Sequence, residues 1–184
     1  MRKTLALILI IMFLIAPCLI MFKQVSVTNA ASNNLAPIAN LLWNYTTSNG
    51  VWSSPAIVNG VVYVGSEDAF YIGAPYGTGP QYGYAGNFYA LNAANGNKLW
   101  NISIPVGTSS PTVEGGVVYV GSYDQNVYAL NATNGSKLWS YATEDLVSSS
   151  PAVAKGIVYV GLSDGNLVAL NGTTGKEVWK YNSS

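Results

Sequence analysis

The chain has 184 residues, enough for one ordinary domain, with 49% apolar and only 9% charged residues and a formal charge of zero. Such a chain carries ample apolar surface to bury, which excludes a disordered polymer. It has no histidine and a single cysteine, so imidazole-based catalysis or metal ligation, and any disulfide scaffold, are excluded with them.

The first feature in chain order is "MRKTLALILIIMFLIAPCLIMF", a basic start followed by an unbroken apolar run from Leu5 to Phe22. It has the charged and apolar regions of a secretory signal. It is also long enough to span a bilayer if left uncut. Ala30 and Ala31 offer small residues for cleavage. Residues 1–30 are read as a helical signal peptide or membrane anchor, and residues 31–40 as a linker. Either way the remainder is exported, to the extracellular space or the cell envelope. Membrane contact is then confined to the N-terminal segment, through residues 5–22 if it stays as an anchor. Cys18 is a poor lipid-attachment site, since Pro17 precedes it and "LIMF" follows. Without residues 1–30, five lysines face eight acids, a net charge of −3. No basic patch is left to track a phosphate backbone, so nucleic acid is not an expected partner.

A strand over residues 41–46 comes next, in "LLWNYTTSNGVWSSP", and it carries Trp43. The segments "SSPAIVNGVVYVGSED", "SSPTVEGGVVYVGSYD" and "SSPAVAKGIVYVGLSD" then align on Pro55, Pro111 and Pro151. Each is followed by an eleven-residue phrase: "ALNAANGNKLW" (90–100), "ALNATNGSKLW" (129–139) and "ALNGTTGKEVW" (169–179). Within each repeat a strand around Pro-Ala-Val leads to a tight turn at Asn59-Gly60, Glu114-Gly115-Gly116 or Lys155-Gly156. Such residues supply the positive φ angles that short hairpins need. "VVYVG" follows, apolar on both faces, the mark of a strand buried on both sides. Ser122, Asp124 and Asn126, and likewise Ser163, Asp164 and Asn166, form a polar turn through their short side chains. "VYALN" is the third strand and "KLWSY" the fourth.

Four short strands in about 40 residues, with turn signals between them, are the pattern of a propeller blade. The expected fold is all-β: a partial, open, about three-bladed β-propeller of four-stranded antiparallel blades, preceded by the signal or anchor helix. The propeller repeats occupy residues 41–184, with blades at about 53–103, 109–142 and 149–182 and an orphan strand at 41–46. The first blade carries extra residues in "AFYIGAPYGTGPQYGYAG", read as a long loop.

The three phrases resemble the tryptophan-docking motif, Ala-x-Asp/Asn-x-x-x-Gly-x-x-x-Trp, of the pyrroloquinoline-quinone-type (PQQ-like) β-propeller repeat family. The matching positions are Ala90, Asn92, Gly96 and Trp100; Ala129, Asn131, Gly135 and Trp139; and Ala169, Asn171, Gly175 and Trp179. The resemblance covers residues 41–184. It implies that each tryptophan stacks between the motif alanine and a peptide plane of the adjoining blade, a structural role. The family includes quinone-dependent dehydrogenases whose quinone rests on a tryptophan floor and a vicinal disulfide. This chain has no adjacent cysteines and no stretch matching those sites, so no catalytic residue, cofactor or metal ligand is carried over.

Two further groups of residues are candidates for function. Tyr71, Tyr76, Tyr82 and Tyr84, in the insertion, are a candidate binding loop, because tyrosine gives rigid contact area with a polar tip. The sequons at Asn44, Asn101, Asn131, Asn134, Asn171 and Asn182 are candidate N-glycosylation sites, although turn composition alone also produces them. Glu67, Asp68, Asp124 and Asp164 are too sparse for calcium, which needs six or more oxygens, and fit ordinary turns.

Three blades do not close a ring of about four to eight. The chain is therefore expected to be a piece of a longer propeller or to associate with further copies of itself, and its end faces to expose "VVYVG" surface. The expected role is a non-catalytic, exported module that binds protein, or glycan, at the cell surface. The alternative is a fragment of a quinoprotein dehydrogenase.

Overall fold

The computed structural model describes residues 19–24, 40–47, 50–73 and 81–182. Every regular element among them is a strand. β1 (Leu19–Gln24) and β2 (Asn40–Thr46) form an antiparallel pair. Blade one contains β3 (Ala56–Val58), β4 (Val61–Gly73), β5 (Gln81–Asn92) and β6 (Lys98–Ile102). Blade two contains β7 (Thr112–Glu114), β8 (Val117–Gly121), β9 (Asn126–Asn131) and β10 (Lys137–Ala142). Blade three contains β11 (Ala152–Ala154), β12 (Ile157–Gly161), β13 (Leu167–Asn171) and β14 (Glu177–Tyr181). Each blade is a four-stranded sheet in which sequential strands pair antiparallel. The result is the expected open, partial propeller.

The first turn of each blade shows why the chain folds back at that point. Asn59 and Gly60 have φ of 50° and 75°, Gly115 and Gly116 have 60° and 78°, and Lys155 and Gly156 have 52° and 74°. Two consecutive positive φ values give a hairpin turn whose twist matches that of the flanking strands.

The core lies between blades. Along the second strand of each blade, valines point backward to the preceding unit and a tyrosine points forward to the next, as the two-residue strand period requires. Val62 and Val64 pack with Tyr89 and Leu91 toward Trp43 and Tyr45 of β2. Tyr63 joins Phe88, Trp100, Val118, Val120 and Leu130 in the seam between blades one and two. Tyr119 joins Val127, Trp139, Val158, Val160 and Leu170 in the seam between blades two and three. The pattern corrects the expectation for the last blade: Val158 and Val160 are fully buried. The exposed large apolar groups there are Leu167, Val178, Trp179 and Tyr181, at 39%, 53%, 43% and 64%.

Three other expectations need correction. The strand with Trp43 is not an orphan, because β1 pairs along it from Leu19 opposite Thr46 to Gln24 opposite Asn40. An unpaired strand edge is a row of unmet donors and acceptors, and β1 meets those along one edge of β2. The helix expected over residues 5–22 lies mostly outside the described residues, as do Cys18 and the cleavage region; its last four positions, 19–22, belong to β1. The insertion in blade one is mainly hairpin and not loop. β4 and β5 stay in register from Val61 opposite Asn92 outward to Gly73 opposite Gln81, with a bulge between Tyr71 and Gly73. Backbone pairing continues because the insertion's own residues, Phe70, Tyr71, Tyr82 and Tyr84 among them, favour strands.

Candidate functional site

The repeated phrase builds one contact three times. The indole N–H of Trp43 donates to the Ala93 carbonyl at 2.8 Å, that of Trp100 to Ala132 at 3.0 Å, and that of Trp139 to Gly172 at 2.8 Å. In each case the tryptophan belongs to one unit and the acceptor to the next. The ring rests on the motif glycine of that next blade: a Cβ on Gly96, Gly135 or Gly175 would lie 2.5–2.7 Å from the indole of Trp43, Trp100 or Trp139. These glycines also hold φ of 70–73°, where a side chain is strained. Glycine is required there twice over, by conformation and by space.

The other motif positions supply the surroundings. Ala90, Ala129 and Ala169 are fully buried and stand opposite Trp100, Trp139 and Trp179 in register. Their small side chains leave room beside the indoles. The Asn92 side-chain oxygen accepts from the amides of Ala94 and Asn95, Asn131 from Thr133 and Asn134, and Asn171 from Thr173 and Thr174. These bonds set the turn that carries the glycine. Trp100 and Trp139 are each 9% exposed, against 43% for Trp179.

A second tie between blades was not legible as one. The Ser54 amide donates to the Ser110 hydroxyl at 3.0 Å, and the Ser110 amide to the Ser150 hydroxyl at 2.9 Å. These are the second serines of each "SSP", whose identical placement in every repeat was the available signal. Thr112 adds a bond to the Pro151 carbonyl across the same seam.

The candidate binding loop divides. Tyr71 and Tyr82 are register partners across the β4–β5 hairpin, and Tyr76 lies outside the described residues. Tyr84 meets Tyr123 of the β8–β9 turn edge-to-face, with ring centroids 5.1 Å apart. The Tyr123 hydroxyl is 3.3 Å from that of Thr108, which in turn donates to the Ser148 carbonyl. The hairpin is thus joined to blade two through a half-buried tyrosine pair. Trp52, 68% exposed, lies in the connection leading into β3, at the position that Thr108 and Ser148 hold in the later blades.

Of the acidic residues read as turn residues, Asp124 and Asp164 serve their turns, whereas Glu67 and Asp68 lie within β4, opposite Gly86 and Ala85, because the hairpin pairing runs on through them. Asp124 accepts from the Tyr128 hydroxyl at 2.8 Å and from the Asn126 amide group. Asp164 accepts from both nitrogens of Asn166 and pairs with Lys180 at 3.6 Å, and the backbone bond from Asn166 is the main reason its pKa is lowered. Glu67 is buried in blade one, at 6% exposure. No group of three or more potential metal ligands forms among the described residues. Of the sequon residues, Asn44, Asn101, Asn134 and Asn182 are exposed, while Asn131 and Asn171 are half-buried in their turns.

Tyr141 of blade two donates to Glu177 of blade three at 2.6 Å. Burial first, then this bond and the nearby carboxylates, push the phenol up from 10.0 to about 12. The folded state therefore holds this proton more tightly than the unfolded chain does. The associated stability is complete below pH 10 and is lost as pH rises toward about 12. Tyr141→Phe should remove part of the alkaline fall in stability, as read by urea unfolding across that window. An unchanged fall would place the titration at another tyrosine.

A family model described as "Outer membrane protein assembly factor BamB" matches residues 77–184. Among solved structures the chain is similar to BamB from Moraxella catarrhalis, with 22% identity and a TM-score of 0.59, covering 77% of this chain and 40% of that one. It is also similar to the quinohemoprotein alcohol dehydrogenase ADHIIG from Pseudomonas putida HK5, with 27% identity and a TM-score of 0.59, covering 77% and 22%. The quinohemoprotein alcohol dehydrogenase from Comamonas testosteroni gives 22% identity and a TM-score of 0.58, covering 73% and 21%. The chain thus spans less than half the length of each. No curated protein matches the sequence.

Proposed function

The chain belongs to the family described as outer membrane protein assembly factor BamB, and from that membership we infer an exported, non-catalytic scaffold that binds protein at the cell envelope. The observation that carries this reading is how the repeat spends its residues. The positions common to the repeats go into seams and turns, and the largest departure from the repeat is a projecting, tyrosine-rich hairpin braced on blade two by Tyr84 and Tyr123. A rigid scaffold carrying one irregular aromatic projection is the usual layout of a recognition surface. On this reading the tryptophan-docking residues are structural, export follows from residues 1–30, and association of further blades or copies completes the ring.

Tyr84→Ala with Tyr123→Ala should lower capture of an envelope protein cross-linked to the hairpin by about tenfold, with circular dichroism unchanged. Capture at the wild-type level would move the binding surface elsewhere. A glycan array separates a carbohydrate ligand from a protein one. The resemblance to quinohemoprotein dehydrogenases supports a second reading, a dehydrogenase segment. Added quinone and calcium should give no dye reduction by alcohols or sugars; reduction would replace the scaffold reading.

A further inference from the structure

We propose that the seam between blades two and three is a binding site for a lysine side chain presented by an extended segment of a partner protein. The proposal rests on the scaffold reading in taking protein as the partner class, and it names the group recognised. A cleft of about 470 Å³ opens where the first turn of blade two meets the first and third turns of blade three. That volume is within the range of roughly 300–1,000 Å³ common to ligand pockets. Val117, Leu138 and Val153 give it apolar walls. Tyr119, buried, lines it from within and donates to the Gly172 carbonyl at 3.3 Å, and Glu114 stands exposed in the lining.

The repeat supplies its own control. At the seam between blades one and two, Val61, Tyr63, Leu99 and Val113 occupy the places of Val117, Tyr119, Leu138 and Val153, with the same residue types. Three lining positions differ. Val58, Asn59 and Ala132 stand where the second seam has Glu114, Gly115 and Gly172. Each difference acts in one direction: the first adds a carboxylate, the second clears a side chain from the turn, and the third removes a methyl group. A Cβ at Gly172 would stand 3.0 Å from the Gly156 carbonyl and 3.1 Å from the Tyr119 hydroxyl, narrowing the cleft.

The chemistry follows from that lining. The Glu114 backbone pairs with Val117. Among the described residues its carboxylate has no hydrogen bond or ion pair and bears only on the buried Tyr119 phenol, whose pKa is raised by burial first and then by this charge. The chain beyond residue 30 carries net negative charge. An apolar trough with a carboxylate beside it suits an aliphatic stem with a terminal ammonium. Lysine lays its methylenes along apolar surface and keeps its charge at the polar edge.

The test is an NMR titration of the full chain with the peptide acetyl-Ala-Ala-Lys-Ala-Ala-amide. Saturable shifts are expected at the amides of Gly115, Gly156 and Gly172. Norleucine or acetyl-lysine in place of lysine should abolish them. Glu114→Val and Gly172→Ala each borrow the residue of the neighbouring seam, so the fold is kept, and each should weaken binding by about tenfold. The reverse graft, Val58→Glu with Asn59→Gly and Ala132→Gly, should raise the stoichiometry from one peptide to two. Equal binding of the norleucine peptide, or shifts caused by free cadaverine and not by the peptide, would overturn the assignment. So would the absence of any shift. The Tyr84 and Tyr123 variants are read separately, so loss of this site leaves the scaffold reading standing, and failure of those variants leaves this site in place.

Discussion

Replacing Trp139 by alanine should cost about 3–5 kcal/mol, the range for removing a buried aromatic side chain. Trp139 is 9% exposed, sits on Gly175, and donates to the Gly172 carbonyl. Its loss removes the ring, leaves that seam acceptor short of one donor, and opens a gap that the blades on either side cannot close without moving. Trp179→Ala is the internal comparison, because the same residue in the same motif is 43% exposed. It should cost less than half as much. Urea unfolding of both variants checks this directly. Equal losses would mean that packing within the blade, and not docking on the next one, sets the value of the tryptophan.

The second large effect is at Gly135. Alanine there meets two penalties: a φ of 73°, which costs a non-glycine residue about 1–3 kcal/mol, and a Cβ 2.5 Å from the Trp100 ring. Only the second depends on the tryptophan. In the background of Trp100→Ala, Gly135→Ala should therefore cost clearly less than in the wild type, with a coupling of about 1–3 kcal/mol in the double-mutant cycle. A coupling near zero would leave conformation as the whole reason for the glycine.

Much of this structure could be read from the residues. The blades, their turns and their order follow from the spacing of "SSP", "VYVG" and the tryptophan phrase, because each is a local signal repeated in phase. Three things could not be read. The pairing of Leu19–Gln24 with β2 joins segments separated by residues 25–39, and an apolar run of that kind fits a helix as readily as a strand. The insertion, rich in glycine and proline at its tip, hides a hairpin because its flanks lack strict alternation. The cleft at Glu114 depends on three differences between the seams, two in one turn of blade two and one in blade three, each unremarkable alone, which only the packing of two blades brings together.

The contacts between blades are also directional. Tyr63 donates to Ala132, Tyr119 to Gly172, and the tryptophans and serines likewise give their protons to the following unit. Each blade presents donors and aromatic rings in one direction and acceptors, glycines and valines in the other. A unit with unlike, matching ends can be copied in tandem without redesign, as a link can be added to a chain. Duplicating residues 111–150 in place would present Trp139 of the first copy with a glycine, a carbonyl and a valine pair already cut to receive it. An architecture of this kind grows by whole repeats, and the 40-residue spacing from Pro111 to Pro151 is its unit of growth.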